Sequence, residues 1–282
     1  MPPDPARPHD EATGSIVLIG CGRMGLALLR GWLAQGIPAQ RVKVIDPNPA
    51  PEVVQALSDA GVARVAAADV DRADVLVLAV KPQTFRQAAA GIAGIVGEGT
   101  VVLSIMAGTT IAELRQAFPA AGSVIRAMPN LAAMAGQGAS VLVAEKGSPD
   151  TAADVAEALL KAVGIVERLP DEELVDVATA VSGSGPAYVF HLVECLANAG
   201  ARAGLPFGIA SRLARATVQG AGAVLADNPD GPDALRRQVT SPGGTTEAAL
   251  AVLMHEQGLQ PLMDATVTAA AARARELGRG TR

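Results

Sequence analysis

Through the first 168 residues, short apolar runs alternate with longer stretches whose apolar positions recur at helical spacing. Residues 16–20, 42–46, 75–80, 101–104 and 124–127 are predominantly apolar and rich in β-branched side chains. Both faces of each run therefore need cover, which predicts buried strands. Between them, residues 26–35 and 52–60 carry the 3.6-residue period. Each is followed by a glycine, Gly36 and Gly61, of the kind that lets a helix end in a left-handed residue. Strand and helix in alternation predict βαβ units and a parallel sheet with helices on its faces. Residues 140–144 and 165–168 extend that sheet around a helix at 151–163.

After Pro170 the strand-like runs stop. Residues 174–181, 187–203, 209–226, 233–239, 247–255 and 261–277 all read as helices. Two stretches, 197–201 and 214–223, are apolar or small all round, and a helix without a polar face is a buried helix. A domain of roughly 110 residues is too small to bury so many, so helices from a second subunit are expected. The change of pattern sets the domains: a disordered tail at 1–14, a first domain at 15–169 and a helical domain at 170–282.

Composition narrows the field. Half of the 282 residues are hydrophobic, yet the aromatics are only four Phe, Tyr188 and Trp32, so the core is aliphatic and Ala-rich. A formal charge of −5 argues against nucleic acid as a partner, since that demands a concentrated basic face. No run of about 18 apolar residues free of charges and breakers suggests a membrane span. The first residues lack a basic-then-apolar leader, which points to the cytoplasm. Two cysteines, Cys21 and Cys195, and three scattered histidines, His9, His191 and His255, make neither a disulfide framework nor a metal-ligand cluster.

Chemistry enters at Ile19, Gly20, Cys21, Gly22, Arg23, Met24 and Gly25, where the first strand turns into the first helix. Such a turn leaves free amides and the positive end of a helix dipole, a seat for a pyrophosphate. Gly20 would allow the tight turn, Gly22 the close approach of phosphate, and Gly25 the packing of helix on strand. Asp46 follows Gly25 by 21 residues at the end of the second strand, where a carboxylate accepts ribose hydroxyls. Asn48 lies in the same loop. Its stretch, Asp46-Pro47-Asn48-Pro49, holds no arginine to clasp a 2′-phosphate, Arg23 and Arg41 being the nearest in sequence, so both NADH and NADPH are expected to serve, with NADH favoured. Ala79, Val80, Lys81 and Pro82 follow the third strand and should face the cofactor, although Lys81 could equally be a solvated loop residue. Cys21 reads as a small filler, having no neighbouring base to activate it.

A second glycine-rich segment runs from Ser241 through Pro242, Gly243, Gly244, Thr245 and Thr246 into a helix. Successive glycines let consecutive amides converge on an anion, and three hydroxyls add neutral donors. Helix capping would account for one hydroxyl but not for three. Residues 182–188, Ser-Gly-Ser-Gly-Pro-Ala-Tyr, enter a long helix through a proline. They read equally as close packing or as part of a site, and Tyr188 reads as a core side chain with its hydroxyl satisfied.

These motifs, together with residues 107–110 (Ala-Gly-Thr-Thr) and 125–130 (Ile-Arg-Ala-Met-Pro-Asn), resemble those of the pyrroline-5-carboxylate reductase family, in the same order along nearly the whole chain. The resemblance implies a Rossmann-type doubly wound α/β N-terminal domain followed by an all-α dimerisation domain, assembled as a homodimer or a ring of dimers. It implies that Ser241, Gly243, Gly244 and Thr245 hold a substrate carboxylate. Thr246 would meet the ring nitrogen as the catalytic position, and Ala107, Met128, Pro129 and Asn130 would lie by the nicotinamide. Two positions depart from the family: Leu131 where threonine is common, and Ala66 where some members carry a cofactor-holding asparagine. Two other readings remain. One is a related imine or β-hydroxy-acid reductase, a class that usually depends on a lysine in the helical domain; here no lysine occurs between Glu167 and Arg282. The other is a non-catalytic nucleotide-binding interaction protein.

Overall fold

The computed structural model describes residues 14–280; His9 and all of the expected tail except Gly14 lie outside the described residues. Eight strands form one sheet: β1 (Ile16–Ile19), β2 (Val42–Ile45), β3 (Ala63–Arg64), β4 (Val75–Leu78), β5 (Val101–Ser104), β6 (Ser123–Met128), β7 (Gly138–Ala144) and β8 (Gly164–Arg168), in the order β3-β2-β1-β4-β5-β6-β7-β8. The helices between them are α1 (Arg23–Ala34), α2 (Pro51–Ala60), α3 (Phe85–Ile92), α4 (Ile111–Ala117) and α5 (Asp150–Lys161). There follow α6 (Leu174–Ala178), α7 (Gly185–Arg202), α8 (Phe207–Asp227), α9 (Pro232–Gln238), α10 (Thr245–Leu253) and α11 (Leu259–Gly280). The short strand β3 and the helices α3 and α4 have no counterpart in the hydropathy pattern. Two exposed residues and helices of seven or eight residues give too few periods to register.

The doubly wound arrangement follows from strands that are apolar on both faces. In β1, Ile16 and Leu18 enter one core with α1, α2 and α5, while Val17 and Ile19 enter the other with α3 and α4. Strand β4 repeats this, with Val75 and Val77 on one side and Leu76 and Leu78 on the other. Trp32 is fully buried, and its Nε1 donates to the Leu159 carbonyl at 2.8 Å, tying α1 to α5. The strands from β3 through β6 are parallel, but β7 runs antiparallel to β6. The link between them is a short 3₁₀ turn at Leu131–Ala135 rather than a crossover helix, and a link of that length returns antiparallel. With α5 between them, β7 and β8 are parallel again.

The chain divides into two compact units. One runs to Gly183 and includes the chain from Ala270 onward; the other is Ser184–Ala269. The division thus falls at 183/184, whereas composition changes near 170. The intervening α6 packs on β7, and an ion pair holds its approach. The buried Arg126 of β6 donates from Nη1 to Glu172 Oε1 at 2.8 Å, and its Nη2 lies 3.7 Å from Asp176 Oδ1. Glu172 Oε1 also accepts the Ile111 amide at 2.9 Å. Among the described residues no helix is long and apolar enough to cross a membrane.

Candidate active site

The residues singled out in the first unit lie in a row along one edge of the sheet. In spatial order the carboxyl ends of β2, β1, β4, β5 and β6 lead into Asp46, Gly20, Ala79, Ala107 and Met128–Asn130. Four inter-strand spacings make that row roughly 19 Å long, and ligands of open parallel sheets lie along this edge. The ladder continues into the turns: the Gly20 amide donates to the Ile45 carbonyl at 2.9 Å, and the Ala79 amide to the Ile19 carbonyl at 2.8 Å.

Each glycine of the first turn has its own physical reason. Gly20 has φ +82°, and an added Cβ would stand 2.8 Å from Val80 Cγ1. A Cβ on Gly25 would stand 2.6 Å from the Gly20 carbonyl oxygen, so α1 packs here at glycine distance. Gly22 caps α1 with no side-chain cap, and its missing Cβ would meet nothing within 4 Å. Open space above unsatisfied first-turn amides fits a pyrophosphate, so the residues present suit a dinucleotide. The Cys21 thiol is buried and pushed up to about 11, first by that burial and then by Asp46, with the Arg30 charge opposing. It stays protonated, as befits a filler.

Asp46 braces this turn. Its Oδ2 accepts the Cys21 amide at 2.8 Å and its Oδ1 accepts the Asn48 amide at 3.0 Å. A cleft of about 700 Å³ opens beside it, lined by Cys21, Gly22, Arg23, Asp46 and Asn48 and extending over Ala27, Arg30, Glu52 and Met134. The expectation of an NADH preference counted arginines along the Asp46 loop; the fold brings two, Arg23 and Arg30, into the same cleft from α1. Arg30 was missed in the sequence, although seven residues is two helical turns and places it on the stripe of Arg23. Ala79, Val80, Lys81 and Pro82 lie at the end of β4, with Lys81 exposed before the 3₁₀ turn Pro82–Thr84, and they do not line this cleft.

At the end of β6, Asn130 is buried and its amide is engaged at both ends. Nδ2 donates to the Ser182 carbonyl at 2.9 Å, and Oδ1 accepts the Ala139 amide at 3.1 Å. The side chain thereby clamps Ser182, where a single π turn at Thr179–Gly183 leads out of α6. Gly183 sits close by, with its missing Cβ 3.5 Å from Met128 Cε. Leu131 and Met134 are exposed on the 3₁₀ turn that follows Asn130, and Ala66 only precedes another such turn.

Within the second unit the loop 241–246 stands at the start of α10. Gly243 has φ +71°, and the Gly244 amide donates to the Ser241 carbonyl at 2.9 Å, closing a tight turn. Gly244 is the N-cap and no side chain caps the helix. The hydroxyls of Ser241, Thr245 and Thr246 have no partner among the described residues, so simple capping does not explain them. The Thr245 and Thr246 amides, at the helix start, have no carbonyl within the helix to bond. Glu247, which the sequence reading passed over, accepts the Gly243 amide on Oε2 at 2.7 Å and so stiffens the turn. The Tyr188 hydroxyl is enclosed without a hydrogen-bond partner, against the expectation of a satisfied core tyrosine.

Known proteins match this chain along its length. A family model described as pyrroline-5-carboxylate reductase dimerisation matches residues 172–277, and one described as NADP oxidoreductase, coenzyme F420-dependent, matches residues 15–108. The pyrroline-5-carboxylate reductase of Pseudomonas aeruginosa is 39% identical over 94% of this chain and 97% of its own length. A solved pyrroline-5-carboxylate reductase from Coxiella burnetii superposes with a TM-score of 0.87 at 32% identity, covering 94% of this chain and 98% of that one. The Plasmodium falciparum pyrroline carboxylate reductase, solved with NADP bound, shares the fold, with a TM-score of 0.76 at 24% identity over 95% of this chain and 100% of that one.

Proposed function

We propose that this chain, which belongs to the pyrroline-5-carboxylate reductase family, reduces 1-pyrroline-5-carboxylate to L-proline with NAD(P)H, the last step of proline biosynthesis. The observation that carries the reading is the pairing, in one chain, of a dinucleotide turn with an open phosphate seat at Gly22 and a glycine turn at 241–246 whose hydroxyls are uncommitted among the described residues. When bound, the reduced nicotinamide supplies a hydride to the carbon of the C=N bond. The protein's share is to hold two molecules in attack geometry, which is worth several kcal/mol.

The amides of Thr245 and Thr246 and the Ser241 hydroxyl take the substrate carboxylate, with Gly243 and Gly244 giving the turn its shape. The positive end of α10 favours that anion. The Thr246 hydroxyl hydrogen-bonds the ring nitrogen, which ends protonated. A cyclic imine is basic enough to enter as the iminium, so no stronger acid is called for. Ala107 and Met128–Asn130 line the nicotinamide end, with Asn130 shaping the wall through its clamp on Ser182 rather than through a free amide. The enzyme works as a homodimer in the cytoplasm, joined through the apolar helix faces after Ser184, and its native mass also reads out a ring of dimers. Loss of reduced-nicotinamide absorbance with pyrroline-5-carboxylate, set against other cyclic imines, β-keto acids and no acceptor, tests the reading. Turnover of pyrroline-5-carboxylate above the whole panel is the expected result, and preference for another acceptor overturns it.

A further inference from the structure

The cleft beside Asp46 carries two guanidinium groups that no described residue pairs with. Arg23 and Arg30 both line it, both are exposed, and neither has a hydrogen bond or ion pair among the described residues. Three other arginines of this unit are committed: Arg115 to Glu145, Arg126 to Glu172 and Arg168 to Asp154. Arg30 shares the cleft with Cys21 and Gly22 of the fingerprint turn. The acids of the cleft are Asp46 and Glu52. Asp46 already accepts two backbone amides, and Glu52 lies in the first turn of α2, facing the positive end of that helix. Both acids are thus partly compensated, whereas the arginines are not.

We propose that Arg23 and Arg30, with the Asn48 side chain, form a subsite for the 2′-phosphate of NADPH, set against the ribose-facing Asp46. A doubly charged phosphate offers three acceptor oxygens, and guanidinium groups bind such anions in a bidentate fork. Arg23 opens α1 at the pyrophosphate seat, and Arg30 closes on the same ligand from two turns further along the helix. The subsite reverses the preference read from the Asp46 loop alone: both cofactors bind, and NADPH binds more tightly.

The inference rests on the cofactor reading above, and its test needs no imine substrate. NADPH and NADH are titrated by fluorescence into wild type, Arg23→Ala, Arg30→Ala and the double variant, with 2′-AMP and 5′-AMP as competitors. Lysine variants at both positions check rescue by charge alone. Each alanine is expected to weaken NADPH and 2′-AMP about tenfold, the loss of one charge-assisted contact. For Arg30→Ala, NADH and 5′-AMP should stay within about twofold; for Arg23→Ala, which also borders the pyrophosphate seat, NADPH should weaken more than NADH, and lysine should restore part of the loss at both positions. Equal weakening of both cofactors would assign the arginines to the pyrophosphate and overturn the subsite, as would no weakening of either. Wild type that binds neither cofactor overturns the reductase reading itself.

Discussion

In the first unit the strands feed two aliphatic cores, so that Ile16, Leu18, Leu76 and Leu103 are fully covered by their own chain. In the second unit the buried positions of α7 and α8 are Ala197, Ala210 and Ala214, while Phe190, Leu213 and Val224 are more than half exposed. Small residues bring those two helices close but enclose little apolar area; the large side chains face outward. A nucleotide-binding sheet is finished by its own crossovers, since each helix covers a face as it passes. A pair of long helices has no third layer and leaves its apolar surface for another copy to cover, which agrees with the dimerisation family matching this segment.

Four measurements would break or sharpen that contrast. The largest effect is expected from Phe190→Asp, which places a charge where the dimer would bury an aromatic ring. Association should weaken more than about a hundredfold, giving a monomer by light scattering at micromolar protein; an unchanged mass would mean that the exposed face is not the interface. Next comes Thr246→Val, which asks whether the helical unit contributes chemistry as well as association. One lost hydrogen bond to a developing charge predicts a fall in kcat/KM of roughly ten- to a hundredfold, with NADPH affinity held. Wild-type turnover would remove Thr246 from the mechanism.

Gly25→Ala tests the first unit in the same way. Its new Cβ would stand 2.6 Å from the Gly20 carbonyl, so α1 must shift off the phosphate seat. NADPH affinity should drop about tenfold and Tm by several degrees, and native binding would show that the turn tolerates the shift. The smallest effect concerns the tie at the start of β1. Asp74 Oδ2 accepts the Ser15 amide at 2.7 Å and the Ser15 hydroxyl at 2.9 Å, which holds its carboxyl below the ordinary 3.8. A depressed carboxyl stabilises the fold at pH values above its unfolded pKa and loses that contribution as pH falls through the folded one. Asp74→Asn should therefore cost under about 1 kcal/mol at neutral pH, exposure having screened the charge. The gap from wild type should close as the solution is acidified below 3.8; a gap that widens instead would reverse the sign.

Local pattern determined a good deal of this protein. Apolar runs marked seven of the eight strands: β1 and β4 are covered on both faces and so apolar at every position, whereas the largely exposed β8 was marked by Ile165 and Val166 alone. The fingerprint glycines were legible because φ, open space and close packing each exclude a side chain at one particular position, and the 241–246 turn because only glycine frees successive amides. Tertiary structure decided the rest. That β7 returns antiparallel depended on how short a link spans 129–137, and α6 belongs to the first unit because Glu172 and Asp176 pair with Arg126, some 46 residues and more away in sequence. The resemblance places Asn130 by the nicotinamide, and only the fold shows that its side-chain amide is engaged by the Ser182 carbonyl and the Ala139 amide. Arg30 stands 16 residues before Asp46 and shares its cleft all the same. Period and propensity report what a residue does for its own element; which charges face one another is set only when the elements pack.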